Sequence, residues 1–443
     1  MKKILAFVLC GVMTAGLLGG CGTSSSAEQT TGTAAGTTEQ AAGTTEQAAG
    51  TTEQAAGTSE QAASDGTMTT IKIWHDGDEA IMSAIADEVN SELKGDNIQV
   101  SFEKKTGLTD QLKLYGTDAQ NGPDMYMYAH DSLGTFAEMG ILAPITDFIS
   151  STDEADLVPM TVDAGTYKDT QYLLPIYYET LLFIYNKDLW KGDIPETTDD
   201  LLAYMKKNTD ISKGKYALVN QHSTAYNVAP FINGFGGYII SKDAVPGLNL
   251  QETKDAIAYN KQFAGLEGEG DYDSCVAYFN QGSAEAIVGG PWLVPGIKEA
   301  GINYGIRSLS DFKLPNGKAL APYSGVQGIG VLKYTEDTKK EAVTKVLKAM
   351  CTPELGVALA KKVNCAPANS KAYEDSEVAS NEMIMAIRAT AETAEPMPNI
   401  PQMSVMWGPA ESLLAAVNKS GDDIDSAADQ YQKEAETAIA DMQ

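Results

Sequence analysis

Past residue 21 this chain of 443 residues holds only three cysteines, Cys275, Cys351 and Cys365, with no Cys-x-x-Cys pair and no His/Cys metal spacing. That excludes a disulfide scaffold and a zinc site. Cys351 and Cys365 allow one bridge; three buried thiols is the alternative. Histidine is scarcer still, with three in the chain, and no Gly-x-Ser-x-Gly occurs, so a serine hydrolase lacks its parts. Basic residues number 32 against 60 acidic ones, a net charge of −28 that repels nucleic acid and anionic lipid and suits a neutral or cationic ligand. Gly265-Leu-Glu-Gly-Glu-Gly270 lacks the Lys-Ser/Thr of a P-loop, and Asp422-Asp-Ile-Asp425 lacks the glycine and terminal glutamate of an EF-hand, reading better as a helix start.

What is present begins at the N-terminus. Lys2 and Lys3 precede an apolar run from Ile4 to Leu18, which ends in Leu18-Gly19-Gly20-Cys21. About fifteen apolar residues are too few for a comfortable span, and the small residues let a peptidase reach the bond before Cys21. The pattern is that of a bacterial lipoprotein signal over residues 1–20, with Cys21 lipidated and the chain held on the extracytoplasmic face of the cell membrane. At least two acyl chains make such anchoring stable. Residues 36–63 then read Gly-Thr-Thr-Glu-Gln-Ala-Ala three times and Gly-Thr-Ser-Glu-Gln-Ala-Ala once. Each repeat offers only alanine for burial, so residues 21–66 read as the lipidated cysteine and a flexible tether, spanning on the order of 40 Å.

The remainder, about 375 residues, suits two domains. Polar–apolar alternation at Thr70–Trp74, helical spacing of Ile81, Ile85, Val89 and Leu93, and strands at 98–102 and 125–128 around a helix at 108–115 predict an α/β fold with a mostly parallel sheet. A long extended stretch runs from Leu173 to Tyr185. Helices are expected at 339–350 and 353–362, split by Pro353, and an amphipathic one ends the chain.

A ligand with apolar C–H faces and a rim of hydroxyls, as a pyranose has, needs flat aromatic surface beside carboxylates. Covering one face of about 40 Å² contributes on the order of 1 kcal/mol, and a hydrogen bond to a carboxylate roughly 1.5 to 3. Aromatic residues stand beside acids or near glycine and proline at Tyr128 and Asp131, Tyr177, Tyr178 and Glu179, Tyr226, Trp292 and Trp407. Each has a plainer role. Asp131 and Asp78 are natural helix N-caps, the tryptophans and tyrosines can pack, and His130 reads as a structural histidine. Glu179, in so apolar a stretch, is the hardest to explain as a core residue.

Gly122-Pro-Asp-Met-Tyr-Met-Tyr-Ala-His-Asp131, Ile184-Tyr-Asn-Lys-Asp-Leu189, Gly290-Pro-Trp292 and Met397-Pro-Asn-Ile-Pro-Gln-Met403 with Trp407 resemble the extracellular solute-binding proteins of ABC importers, in the maltose and maltodextrin subset. The resemblance covers residues 70–440. It implies a two-lobe, type II periplasmic-binding-protein-like fold with a hinge and an inter-lobe ligand cleft, one lobe at 68–177 plus 329–376 and the other at 182–323 plus 384–443. It also implies a monomer without cofactor or catalysis, closing on a neutral oligosaccharide and delivering it to ABC importer permease subunits. By the same likeness Asp78, Tyr128, Asp131, Glu179 and Tyr226 are ligand contacts, and Trp292 and Trp407 stacking platforms. The chain departs from the pattern at Glu79, Ser132, Thr224 and Glu411, where the family's maltose binders carry lysine, arginine, glutamate and arginine. Several polar clamps are missing while the aromatic platforms persist, a pattern compatible with longer maltooligosaccharides. An exported glycosidase and a surface glycan-binding adhesin are the rival classes.

Overall fold

The computed structural model describes residues 68–266 and 270–442; the signal segment, Cys21 and the repeats lie outside the described residues. The first half alternates as expected: β1 (Thr69–His75), α1 (Glu79–Glu92), β2 (Ile98–Lys104), α2 (Leu108–Tyr115), β3 (Met125–Ala129) and α3 (Leu133–Glu138). Then come β4 (Leu142–Ala143), α4 (Pro159–Ala164), a hairpin of β5 (Thr166–Tyr167) and β6 (Thr170–Gln171), and β7 (Leu173–Thr180). The stretch predicted to be one extended segment to Tyr185 is two strands. β7 ends at Thr180, and β8 (Leu182–Asn186) joins a different sheet.

Next follow α5 (Thr198–Asn208), α6 (Ala225–Phe235), α7 (Gln251–Ala264), α8 (Tyr272–Asn280), β9 (Ala286–Gly289), α9 (Val294–Glu299) and β10 (Tyr304–Ser308). The chain returns through β11 (Tyr323–Leu332), α10 (Lys333–Met350), α11 (Pro353–Val363) and β12 (Ala366–Pro367). It closes with α12 (Ser376–Ala379), α13 (Glu382–Thr390), β13 (Glu395–Pro396), α14 (Trp407–Ala415) and α15 (Ile424–Ala440). The helix expected to start at residue 339 starts at Lys333; Lys339 itself leaves helical geometry, and its Nζ reaches the Thr70 carbonyl and the Asp124 carboxylate.

The larger sheet runs β12-β7-β11-β3-β1-β2, with β4 and β13 also on β11. It is mixed, which corrects the expectation of a mostly parallel sheet. β1 pairs in parallel with β2 and β3, but β11 lies antiparallel to both β3 and β7. The reason is connectivity: β11 follows β10, a strand of another sheet, so the chain crosses into it from there and not through a crossover helix on the same sheet. The smaller sheet, β10-β8-β9, is wholly antiparallel.

Apolar cores form on each side of this crossing. Ile71, Ile85, Met127, Ile329 and Leu347 are buried around the larger sheet, and Phe183, Ile232, Phe263, Phe312 and Leu413 around the smaller. A third core lies at the crossing, where Tyr178 and Val326 pack with Leu182, Ile184, Phe279 and Ile387. Tyr178 and Tyr373 are 2.9 Å apart through their hydroxyls there, and the Tyr373 hydroxyl donates to the Pro367 carbonyl. Tyr178 is therefore a packing residue of the crossing. Cys351 and Cys365 are separate buried thiols, and Cys275 is buried too. No described helix is long and apolar enough to cross a membrane, and among the described residues no group of His, Cys, Asp and Glu is arranged to hold a metal ion.

Candidate functional site

Sheet register brings the predicted acids to one place. On β11, Gln327 pairs with Ala129 of β3 on one side and Tyr177 of β7 on the other. Both neighbours run against β11 and hence run the same way, so two residues further on Asp131 and Glu179 emerge at one end of the sheet. β1 is parallel to β3, with His75 opposite Met127, so the Asp76-Gly77-Asp78 turn comes out at that end as well. Residues 100 apart in sequence thus share one wall.

The local chemistry of each differs. Asp78 is the N-cap of α1, its Oδ1 accepting from the Ala80 N–H at 2.7 Å. Asp131 caps nothing: Ser132 occupies the N-cap of α3, and no side-chain cap bond forms there. Removing that alternative leaves the Asp131 carboxylate to the wall. Glu179 lies opposite Gly325, and burial pushes its carboxyl up to about 7 although the Gln327 side chain hydrogen-bonds to it. Burial raises the Tyr128 phenol as well, with the charges of Asp76 and Asp131 adding to the effect and a bond with the Thr109 side chain opposing it. Burial also raises Asp76, helped by Asp131.

The facing wall is aromatic. Tyr226, in the first turn of α6, has its phenol raised by burial and then by the negative charges of Glu179 and Asp131, so it lies within electrostatic reach of the acids of the other wall. Its ring stacks on that of Tyr323 at 6.5 Å, and Tyr323 meets Trp407 edge to face at 6.4 Å. Tyr226 also lines a cleft of about 210 Å³, together with Gln221, Thr224, Tyr272, Gly289 and Trp292. Trp292 is 40% exposed and Tyr272 46%, and the two rings share this cleft. A Cβ at position 290 would fall 2.0 Å from the Trp292 ring, so Gly290 leaves the ring the space it occupies.

Six of the seven predicted contacts are thereby linked through shared neighbours, Trp407 by way of Tyr323. Asp78 is the least engaged, its carboxylate tied to its own helix. No ion pair joins Asp78, Asp131 or Glu179 to a described lysine or arginine. Sequence reasoning missed Asp76, Gln221, Tyr272, Tyr323 and Gln327. Asp76 flanks Gly77 exactly as Asp78 does and was legible; Tyr323 and Gln327 sit inside a strand and carry no local signal. His130 is structural as expected: Nδ1 accepts from the Val326 N–H at 3.1 Å, and Nε2 donates to the Met397 carbonyl at 2.9 Å.

A larger groove of about 1450 Å³ runs between the β5–β6 hairpin, residues 236–244 and residues 395–402. Its rim mixes lysines with acids (Lys168, Lys242 and Lys318 against Asp163, Asp243 and Glu395), and of the predicted contacts it holds none. Size alone does not make it the ligand site.

Comparison with known proteins identifies the fold and the family. The family model of bacterial extracellular solute-binding proteins matches residues 84–386. A maltotriose-binding protein of Pyrococcus abyssi is 30% identical over 375 residues, covering 82% of this chain and 81% of its own. A galactooligosaccharide-binding protein of Bacillus subtilis is 30% identical over 396 residues, covering 83% and 88%. A crystal structure of a cyclo/maltodextrin-binding protein complexed with maltotetraose superimposes with a TM-score of 0.75 at 24% identity, over 84% of this chain and 98% of that one. Its fold is the two-lobe binding-protein fold, and the mixed and antiparallel sheets joined by a crossing core are its two halves here. By family match, relatives and fold alike, this chain belongs to the bacterial extracellular solute-binding proteins.

Proposed function

We propose that this chain is the substrate receptor of an ABC sugar importer, capturing maltooligosaccharides between two lobes and presenting the closed form to the permease. The observation that carries the reading is a meeting of register and cleft: β3 and β7 bring Asp131 and Glu179 to one end of the larger sheet, and Tyr226, within electrostatic reach of both, lines the cleft with the exposed Trp292. A ring lying between the two walls is stacked from one side and hydrogen-bonded from the other. Because both walls contribute, ligand binds the closed arrangement more tightly than the open one, and the population moves by that difference. Asp78, Tyr128, Asp131 and Glu179 supply acceptors, and Tyr226, Trp292 and Trp407 supply stacking surface. The lobes are residues 68–177 with 329–376 and residues 182–323 with 384–443, and Cys21 with the 22–66 tether holds them at the membrane surface. The receptor acts as a monomer, without cofactor and without catalysis.

Two or three stacked rings, each adding on the order of 1 kcal/mol by area and more through carboxylate bonds, support micromolar affinity once ordering costs are subtracted. A galactooligosaccharide is the second reading, favoured by the breadth of the match to such a binder and by Ser132, Thr224 and Glu411 replacing the polar clamps of maltose binders. Calorimetric titration of residues 64–443, a compact unit, decides. Saturable heat with maltotriose and none with β-galactotriose or xylotriose supports the α-glucan reading. Heat with β-galactotriose alone replaces it.

A further inference from the structure

The cleft beside Trp292 has a wall made by a loop, residues 219–224, rather than by a helix or strand, and that loop carries Gln221 and Thr224 into it. Its backbone has few ladder partners beyond Val219, which bridges to Ile287. Instead it turns on itself, His222 N–H donating to the Asn220 carbonyl and Thr224 N–H to the Gln221 carbonyl, both at 3.0 Å. Side-chain amides hold the rest. Asn227 Nδ2 donates to Asn220 Oδ1 at 2.9 Å, and Asn260 of α7 pairs reciprocally with His222, donating to its carbonyl at 3.1 Å and accepting from its ring at 2.5 Å.

The second amide on the His222 carbonyl comes from Asn418, 2.7 Å away, which also reaches the Ser223 hydroxyl at 3.3 Å. Asn418 lies in an unusual place. Residues Ala416–Ser420 form a π-turn at the end of α14, closed by Gly421 in the left-handed region. π-turns are less favourable than α-helix and recur at functional sites. Asparagine is a poor helix residue, and the Asn418 Oδ1 is buried without a partner. A leucine beside buried Leu413, Leu414 and Val417 would avoid the orphan acceptor and the poor propensity together. The arrangement weakens the helix locally and holds the cleft loop.

We infer that Asn418 is a positioning residue for sugar binding, setting through the His222 carbonyl the depth at which Gln221 and Thr224 enter the cleft. The inference rests on the sugar-receptor reading of that cleft. Asn418 is not among the residues that line the cleft and its amide bonds to the loop, so it acts through the loop.

The test is a double-mutant cycle by calorimetry with maltotriose, alongside thermal melts without ligand, on residues 64–443. Asn418→Leu is expected to weaken binding five- to twentyfold with an unchanged or higher Tm. In a Gln221→Ala/Thr224→Ala background the same change is expected to have less than a twofold effect, whereas in a Trp407→Ala background the loss is expected to persist in full. Unchanged affinity in Asn418→Leu overturns the inference, as does an equal loss in the Gln221→Ala/Thr224→Ala background. If the wild-type protein takes up no maltotriose, the sugar reading has failed on its own terms. Hydrogen exchange then judges the positioning role: faster exchange of the 221–224 amides in Asn418→Leu sustains it, and unchanged exchange overturns it.

Discussion

Replacing Glu179 by glutamine tests the electrostatics of the cleft without removing its shape. Burial raises the Glu179 carboxyl from 4.5 to about 7, so the folded state binds a proton that the unfolded chain has already released in between. The folded protein is therefore favoured on the acid side, and this part of its stability declines as pH rises from 4.5 through 7 and is flat above about 8. A shift of that size corresponds to about 3 kcal/mol, and water in the cleft reduces it to roughly 2 to 3. Glutamine is uncharged at every pH, so Glu179→Gln removes the penalty. For a body of about 380 residues the unfolding entropy near Tm is roughly 0.8 kcal/mol per kelvin, which makes the gain about 2.5 to 4 °C at pH 8 and close to zero at pH 4.5. Scanning calorimetry of both proteins from pH 4.5 to 8.5, in 0.15 M salt and without ligand, reads this difference directly. Parallel Tm curves would show that the Glu179 carboxyl is solvated and ordinary, and the picture of a desolvated acid within electrostatic reach of Tyr226 would fall with it.

Trp292→Ala and Trp407→Ala are each expected to weaken maltotriose binding at least tenfold in calorimetry, about 1.4 kcal/mol; unchanged affinity in both would remove stacking from the account. With no described cation paired to Asp78, Asp131 or Glu179, an anionic sugar should be rejected: maltotrionic acid is expected to bind at least tenfold more weakly than maltotriitol at low salt, the gap narrowing at 1 M NaCl. His130→Leu leaves the Val326 N–H and Met397 carbonyl without their side-chain partner, and a loss of about 2 to 4 kcal/mol in urea unfolding is expected. Desolvation holds the His130 ring below its ordinary 6.5, so in the wild type its contribution falls as pH drops through 6.5, a slope that His130→Leu should lack. Burial pushes the Cys351 thiol up to about 12 and raises Cys365 as well, so both should resist a thiol reagent at pH 8 for minutes in the folded protein and react at once in denaturant.

Much of this molecule follows from local rules. The alternation of Ile71 and Ile73, the spacing of Ile85 and Val89, the proline opening α11 and the stripe along α15 are short-range patterns, and the elements appear within a few residues of where those patterns put them. The exposure of Trp292, beside Gly290 and Pro291, was legible for the same reason, since a tryptophan at so short a turn has little to pack against. Tertiary structure decided what depends on residues far apart in the chain. The antiparallel course of β11, the break of the long extended stretch at Leu181 and the alignment of Asp131 with Glu179 across Gln327 are matters of register between strands tens to hundreds of residues apart. Tyr323 became part of the aromatic wall, and Asn418 a neighbour of His222, only because the chain crosses and returns between lobes. Hydrophobic period reports which face of an element is buried; which elements meet, and so which acids and rings share a cleft, is set by long-range packing that no window of sequence contains.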